Sequence, residues 1–302
     1  MAAAAVVPAA LAGWLAWQTL GDGGDGGTDG QGAAAPSVSA PASPSGEPSR
    51  EPEEKPSSGK PPEKPASPGA GPSRKPASGP LAGKTVVVDP GHNPGNRNHT
   101  AEINRQVDVG THRKECDTTG TATNAGYPEA EFTLDVAHRL RKLLEERGAT
   151  VKFTQDGDRP FGPCVDERAR VGNEAGADAV VSVHADGSAA GNRGFHVILP
   201  ATVHGGGADT RPIVEESRRL GERIAGKLVE RTGSAPSNYI GGGTGLDVRD
   251  DLGGLNLSTV PKVFVECGNM RDEQDAALLT DGEWRQKAAL GMADGITVYL
   301  RG

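Results

Sequence analysis

The stretch Thr85-Val86-Val87-Val88-Asp89-Pro90-Gly91-His92 is the part of the chain from which the fold can be inferred. Its consecutive valines, without alternation of apolar and polar residues, are typical of a strand buried on both faces, as in a parallel sheet. Pro90 and Gly91 end that strand. His92 then follows the carboxyl end of the strand, the edge at which open α/β sheets bind their ligands. The stretch therefore predicts an α/β fold and makes His92 a candidate ligand-binding residue.

Composition divides the 302 residues into three parts. Residues 1–20 are apolar and uncharged. Residues 21–83 are dominated by Gly, Pro, Ser, Ala and charged residues, which cannot bury enough apolar surface to fold. Residues 84–302 have the composition of a globular protein and are enough for one domain with a sizeable core. We therefore expect a membrane anchor or signal segment, a disordered linker and one folded domain.

The apolar segment at residues 2–20 predicts an extracytoplasmic protein of the cell envelope, either membrane-anchored or secreted. Its length is just sufficient to cross a bilayer. A buried helix is the alternative, but residues 21–83 contain too few large apolar side chains to cover one. The sequence does not distinguish a cleaved signal from a retained anchor. A long, semi-stiff linker behind an anchor suits an enzyme that reaches outward from a membrane.

Charge and composition exclude one class of partner. The net charge is −8 at pH 7, and Lys and Arg form no cluster beyond scattered pairs on predicted helix surfaces. Binding of nucleic acid needs a basic footprint for the phosphates, so we expect no nucleic-acid partner. Aromatic residues make up 4% of the chain, too few for broad surfaces that stack on bases or sugars. We expect a monomer.

The three cysteines contain no CxxC pair, which excludes a thiolate zinc knuckle and a thioredoxin-type site. Cys116 and Cys164 fall in loop-like sequence, and Cys267 follows a predicted strand. In an exported chain the natural pairing is a Cys116–Cys164 disulfide with Cys267 left free. In a cytosolic protein, three buried free thiols would be the better interpretation.

Predicted strands and helices alternate through the folded part of the chain. This alternation, with apolar strands, predicts a single α/β domain with a mostly parallel, roughly six-stranded sheet flanked by helices. Strands are expected at Val86–Val88, Val151–Thr154, Ala179–Val183, Phe195–Leu199 and Val263–Val265, and helices at Glu129–Arg147, Val165–Ala175, Pro212–Thr232 and Glu283–Leu300.

Three of the predicted strands end in side chains that bind metals or move protons. His92 follows the first, His184 follows the third, and Glu266 follows the last. If the strands are parallel, their carboxyl ends lie at one edge of the sheet and these residues cluster there. Two imidazoles and a carboxylate, with a fourth position left for water, form a catalytic zinc site. The third protein ligand, besides the two histidines, should be a carboxylate that lies between them in the chain.

Helical periodicity separates two candidates for that carboxylate, Glu129 and Glu131, which both open the first long helix. Steps of 3, 7, 11 and 14 residues from Glu129 reach apolar positions, so Glu129 should point towards the core. Comparable steps from Glu131 reach mostly polar positions, so Glu131 should be solvated. The helix dipole alone also favours an acidic residue at a helix start, which is the purely structural explanation of Glu129.

Glu266 ends a buried strand, where an ionised carboxyl group costs free energy unless it has a partner. One explanation is a salt bridge with Lys262 or Arg271. The other is catalysis, in which the carboxylate takes a proton from a zinc-activated water and passes it to a leaving amine. Two strand-end histidines and an inward-facing Glu129 in the same domain favour the catalytic role.

Four motifs in this order carry a family resemblance: VVVDPGHNPG, PEAEFTLDVAHRLRKLL, VSVHAD and VFVECGNM. Residues 84–302 resemble the zinc-dependent N-acetylmuramoyl-L-alanine amidases. They resemble in particular the single-domain amidases of the mycobacterial type, to which DTTGTATNAGYPE and GPCVDERA are also similar. The resemblance implies one Zn²⁺ per chain held by His92, Glu129 and His184, with Glu266 as the catalytic glutamate. It implies hydrolysis of the amide between N-acetylmuramic acid and the L-alanine of the peptidoglycan stem peptide.

The same residues leave two other functions open. A related zinc peptidase would use this site to cut a bond within the stem peptide. A non-catalytic peptidoglycan-binding regulator would keep the fold, but it should lack a metal ligand or the catalytic glutamate, and all four residues are present.

Several further residues receive weaker assignments. Segments 93–128 and 247–256 are expected to form the walls of the substrate cleft, with plain surface loops as the alternative. Asp89 is expected to lie just outside the set of metal ligands, where it steadies the turn or a ligand imidazole. The other histidines are expected to have no catalytic role: His99, His112, His138, His196 and His204.

Overall fold

The computed structural model describes residues 78–302 of the chain. The predicted anchor or signal segment and the predicted linker up to residue 77 lie outside the described residues. Between residues 78 and 302, no helix combines the length and the apolar character that crossing a membrane requires.

The described part contains ten strands and seven α-helices. The strands are β1 (Thr85–Pro90), β2 (Gln106–Asp108), β3 (Arg113–Glu115), β4 (Thr150–Phe153), β5 (Ala179–Asp186), β6 (His196–Pro200), β7 (His204–Gly205), β8 (Ala208–Asp209), β9 (Leu246–Arg249) and β10 (Lys262–Asn269). The helices are α1 (Thr100–Ile103), α2 (Glu129–Glu146), α3 (Val165–Glu174), α4 (Val214–Thr232), α5 (Gly253–Asn256), α6 (Glu273–Thr280) and α7 (Gly282–Arg301).

A six-stranded sheet with the order β4-β1-β5-β10-β6-β9 forms the centre of the fold. Every neighbouring pair is parallel except β10 with β6. The prediction of a mostly parallel, roughly six-stranded sheet in an α/β fold is therefore confirmed. The sixth strand, β9, falls at the start of the 247–256 segment, for which no strand was predicted. Two short ladders, β2 with β3 and β7 with β8, lie outside the main sheet.

The two faces of the sheet differ in chemistry because side chains alternate along each strand. On one face, residues such as Val88 and Val265 belong to the main hydrophobic core, to which α2, α4 and α7 also contribute. The neighbours of these residues in the same strands, Asp89 and Glu266, point to the opposite face. His184 shares that face, since it is the register partner of Glu266 across β5 and β10. The second face of the sheet therefore carries the candidate site.

Helix α2 places Glu129 at the edge of this sheet. It starts directly after Pro128, and its side chains Phe132, Val136 and Leu140 are fully buried in the core. This stripe has the period of an amphipathic helix and fixes the rotation of α2 about its axis. Because Glu129 lies on the same stripe, the packing of the helix turns its carboxylate inward.

Strands β1, β5 and β10 extend further at their carboxyl ends than the sequence predicts, and the first of them, β1, continues to Pro90. β5 continues to Asp186 and β10 continues to Asn269, so His184 and Glu266 lie within strands and not after them. The prediction ended both strands at the last apolar residue. The structure shows that pairing continues where only one of the two faces is apolar, with Glu266 opposite His184.

A disulfide joins Cys116 to Cys164, with an S–S distance of 2.04 Å, and Cys267 is free and buried. The predicted pairing is therefore confirmed. The bond connects the loop that precedes α2 to the residue directly before α3. Two segments that flank the candidate site are thus covalently linked.

Candidate active site

The structure brings His92, Glu129 and His184 together. Ligand atoms of these three residues all lie within 4.8 Å of one another, and no other cluster of this kind occurs in the part of the chain that the structure describes. The Glu129 carboxylate lies between the two imidazoles. Its Oε2 is 3.2 Å from His92 Nε2, and its Oε1 is 3.0 Å from His184 Nδ1.

The choice between the two glutamates agrees with the helical periodicity. Glu129 is 4% exposed, whereas the side chain of Glu131 is 48% exposed. The backbone N–H groups of Thr121 and Ala185 donate to the Glu129 carboxylate at 2.9 and 3.1 Å and hold it in place. Burial alone would raise the pKa of Glu129, but His92 and the second imidazole outweigh it and keep the pKa well below its usual range.

His92 has an unusual backbone. Its φ is +59°, in the left-handed region that residues other than glycine rarely adopt and that costs of order 1–3 kcal/mol. The ring is held by its Nδ1, which lies 3.0 Å from the carbonyl oxygen of Thr118. Donation from Nδ1–H to this carbonyl leaves the lone pair on Nε2, the atom that faces Glu129. The backbone and the hydrogen bond together aim Nε2 into the cluster.

Two glycines leave room for the ligand side chains. A Cβ atom on Gly91 would lie 2.3 Å from Cε1 of His184. A Cβ on Gly120, where φ is +74°, would lie 2.8 Å from Glu129 Oε2 and 2.8 Å from His92 Cδ2. The backbone at both positions therefore passes directly against the cluster, and any side chain there would displace one of its three residues.

An open cavity of about 160 Å³ lies beside His92 and His184. Its lining includes Lys114 and Thr118, and also Leu252 with the two glycines that follow it. The two segments that were predicted as cleft walls, 93–128 and 247–256, therefore line the same cavity. The ring of Phe264 also borders this space and stacks on the His184 imidazole.

Asp89 supports the site through a network of buried hydrogen bonds. It does not contact an imidazole. Its carboxylate accepts hydrogen bonds from Arg168 at 2.8 Å, Lys262 at 3.2 Å, and the hydroxyl groups of Ser182 and Thr154 at 2.6 Å. Burial alone would raise the pKa of Asp89, but the two cations outweigh it and keep the pKa far below its usual range. Of the two roles predicted for Asp89, the structure favours the one in which it steadies the turn.

Arg168 connects this buried carboxylate to the turn that carries His92. Its guanidinium donates to the carbonyl oxygens of Pro90 and His92 at 2.6 and 3.0 Å, and to Asp117 Oδ2 at 2.9 Å. Asp117 Oδ1 in turn is 3.5 Å from His92 Nδ1. Asp117 was not predicted, because its only local signal is its position next to a cysteine. Besides Glu129, it is a second carboxylate that approaches the His92 imidazole.

Glu266 is placed beside His184 by the register of β5 and β10, and it forms no salt bridge with any residue from 78 to 302. Lys262 pairs with Asp89 instead, and Arg271 donates to the carbonyl oxygen of Ala122. Glu266 Oε2 is buried and has no hydrogen-bond partner in the part of the chain that the structure describes. Burial, together with the nearby carboxylates, raises the pKa of Glu266 well above its usual value. The salt-bridge explanation therefore fails, and a carboxyl group able to hold a proton remains.

Most of the other histidines have ordinary surroundings. His99 pairs with Glu102, and His138 pairs with Asp156. His204 lies in β7 with an exposed side chain. His196 differs from these, because it is 2% exposed and lies directly opposite Glu266 across β10 and β6.

Residues 86–298 match the model of a protein family described as N-acetylmuramoyl-L-alanine amidase, Amidase_3. The N-acetylmuramoyl-L-alanine amidase Rv3717 of Mycobacterium tuberculosis is 40% identical over 216 residues, which cover 71% of this chain and 86% of that protein.

Two solved structures are also similar. The N-acetylmuramyl-L-alanine amidase Ami1 from Mycobacterium smegmatis has 40% identity and a TM-score of 0.66, covering 74% of this chain and 99% of its own. Ami1 from Mycobacterium abscessus has 42% identity and a TM-score of 0.65, covering 73% and 100%. The family match, these identities and the four residues gathered at the sheet edge agree, and the chain belongs to the Amidase_3 family of N-acetylmuramoyl-L-alanine amidases.

Proposed function

We propose that this chain is a zinc-dependent peptidoglycan hydrolase that cleaves the amide between N-acetylmuramic acid and the L-alanine of the stem peptide. Membership of the amidase family supports the reaction. The residue assignment rests on the cluster of His92, Glu129 and His184. Glu266 lies beside this cluster, and its buried Oε2 has no hydrogen-bond partner among residues 78–302.

The donor set fits zinc. Two imidazoles and one carboxylate are the nitrogen and oxygen ligands of catalytic zinc sites, which keep a further position open. His92, Glu129 and His184 would hold the ion, and the adjoining cavity would admit the substrate. A zinc ion bound there would polarise the scissile carbonyl and lower the pKa of a nearby water molecule.

Glu266 is assigned as the general base and then the general acid. It takes a proton from the attacking water while the water oxygen bonds to the lactyl carbonyl carbon. It then gives this proton to the nitrogen of L-alanine as the C–N bond breaks. A carboxyl group whose pKa is raised by burial is suited to both steps, because it holds the proton between them. The products are a lactyl carboxylate and a free amino terminus on L-alanine.

The substrate places the enzyme outside the cytoplasm, in the cell envelope. The disulfide between Cys116 and Cys164 supports this location, because such bonds persist in oxidising compartments. Anchoring or secretion through residues 2–20 stays a prediction, as does the monomeric state.

The reaction is tested with the full chain, muramoyl-dipeptide and purified peptidoglycan as substrates. Mass spectrometry should find a new amino terminus on L-alanine, and activity should disappear with a chelator and return with added zinc. A free carboxyl group within the stem peptide would instead identify a peptidase. No product on either substrate, in protein that holds zinc, would identify a non-catalytic regulator.

The ligand assignment predicts different outcomes for two neighbouring glutamates. Glu129→Gln should weaken zinc binding by more than the about 10–100-fold that loss of an outer partner of a ligand causes, because it removes a ligand itself. Glu131→Gln should bind zinc as the unaltered chain does, since its side chain is exposed. Competition with a chromophoric chelator measures both affinities. Equal zinc affinity of the two variants would mean that a residue other than Glu129 is the third ligand.

A further inference from the structure

Three ionisable side chains lie in a row across three neighbouring strands. Glu266 in β10 is the register partner of His184 in β5 on one side and of His196 in β6 on the other. Register partners point to the same face of a sheet, with Cβ atoms about 4.5–5.5 Å apart in an antiparallel pair. The row that begins at the metal site therefore continues through Glu266 to His196.

Two atoms of this row are buried without a partner. His196 is 2% exposed, and neither its Nδ1 nor Glu266 Oε2 has a hydrogen-bond partner within residues 78–302. Buried polar atoms without a partner are rare, because each costs about 1–3 kcal/mol. Two of them on adjacent residues of one sheet face indicate a shared function.

Two of the polar groups near His196, Tyr239 and Arg249, are already engaged with other partners. Tyr239 packs edge-on against the imidazole, with ring centres 6.0 Å apart, but its hydroxyl donates to Asp186 at 2.6 Å. Arg249 is paired with Asp251 at 2.6 Å. Of the nearby carboxylates, Asp247 lies opposite Ile198 in the register, whereas Glu266 lies directly opposite His196. Glu266 Oε2 is therefore the buried acceptor best placed for His196 Nδ1.

We propose that His196 is a positioning residue for Glu266, whose buried oxygen accepts a hydrogen bond from His196 Nδ1, directly or through one water, when substrate is bound. The proposal rests on the catalytic role proposed for Glu266. Hydrogen bonds of catalytic groups are often long in the free enzyme and tighten in the substrate complex.

The chemistry of a general base explains the need for such a donor. One carboxylate oxygen must face the attacking water, and the other must be held so that the group does not rotate. Neutral histidine offers one N–H donor. Burial lowers the pKa of His196, which keeps its ring neutral near pH 7. The imidazole therefore orients the carboxylate without adding a positive charge that would make Glu266 a weaker base.

Three substitutions of His196 separate this role from a structural one. His196→Leu fills a similar volume without a donor, His196→Asn keeps an amide donor at the level of Nδ1, and His196→Gln places its amide further out. With muramoyl-dipeptide as substrate, we expect His196→Leu to lower kcat about 10–100-fold while KM changes less than about twofold. His196→Asn should recover most of that loss, and His196→Gln should not. Zinc content should equal that of the unaltered chain in all three.

A double substitution tests whether His196 acts through Glu266. Residues that act as a unit are strongly non-additive, so His196→Asn and His196→Leu should cost nothing further in a Glu266→Gln background. The proposal is overturned if His196→Leu keeps kcat, raises KM or loses zinc, if Asn recovers no more than Gln, or if the loss persists without Glu266. If His196→Leu does not fold, the comparison of Asn with Gln decides the matter. An inactive unaltered chain would instead contradict the proposed function.

Discussion

Glu266→Gln should lower kcat on muramoyl-dipeptide by about 10²–10⁴-fold, the contribution of a positioned general acid–base group. Glutamine keeps the shape of the side chain and its place in β10, but it cannot take a proton from water or deliver one to the leaving nitrogen. KM and zinc content should stay near those of the unaltered chain, because Glu266 is not among the three clustered residues that could hold a metal ion. Steady-state kinetics and metal analysis of the purified protein measure these quantities.

Glu273→Gln provides the matched control, since this glutamate is exposed at the start of α6. It should leave kcat unchanged. If the activity of Glu266→Gln stays within about threefold of the unaltered chain, Glu266 does not carry the proton. Another group at the site would then have that role. Loss of zinc from Glu266→Gln would show instead that this residue holds the metal.

Asp89→Asn should reduce the free energy of unfolding by about 3–5 kcal/mol, the usual cost of breaking a buried ion pair by removing one partner. Asp89 is 1% exposed, and it is the carboxylate that both Arg168 and Lys262 contact. Asparagine would leave the positive charge of these cations in a buried site without its main counter-charge. Urea unfolding at pH 7, with the slope of the transition compared between variants, measures the effect.

The difference in the free energy of unfolding between the unaltered chain and Asp89→Asn should depend on pH. The pKa of Asp89 is lowered in the folded state, so its contribution is fully present above the ordinary aspartate value of 3.8. Below that pH the unfolded chain binds a proton that the native carboxylate does not, and the contribution declines. The gap between the unaltered chain and Asp89→Asn should therefore narrow below pH 3.8. Asp158→Asn, at an exposed position, should show neither effect. A gap at pH 7 of less than about 0.5 kcal/mol would mean that the network is energetically neutral.

Local patterns were sufficient to predict most of the sheet and the clustered residues. The valines before Asp89 and those before His184 mark strands buried on both faces, and parallel strands bring their carboxyl ends to one edge. The phase of α2 separated Glu129 from Glu131, because the core fixes the rotation of the helix. These inferences need only the period of a strand or of a helix.

Other elements lacked such a pattern. β9 lies at the sheet edge with its Val248 half-exposed, so no apolar run marks it. Helix α6 has little apolar periodicity, although Asp272 does cap it by accepting from the N–H groups of Gln274 and Asp275. That capping residue was the one local signal by which α6 could have been found.

The supporting residues of the site could not be found from local sequence. Asp117 reaches His92 through a loop whose path is set by a disulfide and by Arg168 on another element. His196 meets Glu266 only because β6 runs antiparallel to β10, and a short apolar strand does not reveal its direction. Long-range pairing of this kind is a property of the folded sheet and not of any segment within it.

The alternation of side chains along β10 limits which changes in sequence the enzyme can tolerate. Insertion or deletion of one residue within that strand would rotate every following side chain to the other face. Glu266 would then enter the hydrophobic core, and Val265 or Cys267 would face the ligand cluster. The strand can therefore vary by substitution on its apolar face but not in length. Differences in length between such enzymes should accumulate in the loops that border the cavity, where they would alter access to the chemistry and leave its geometry intact.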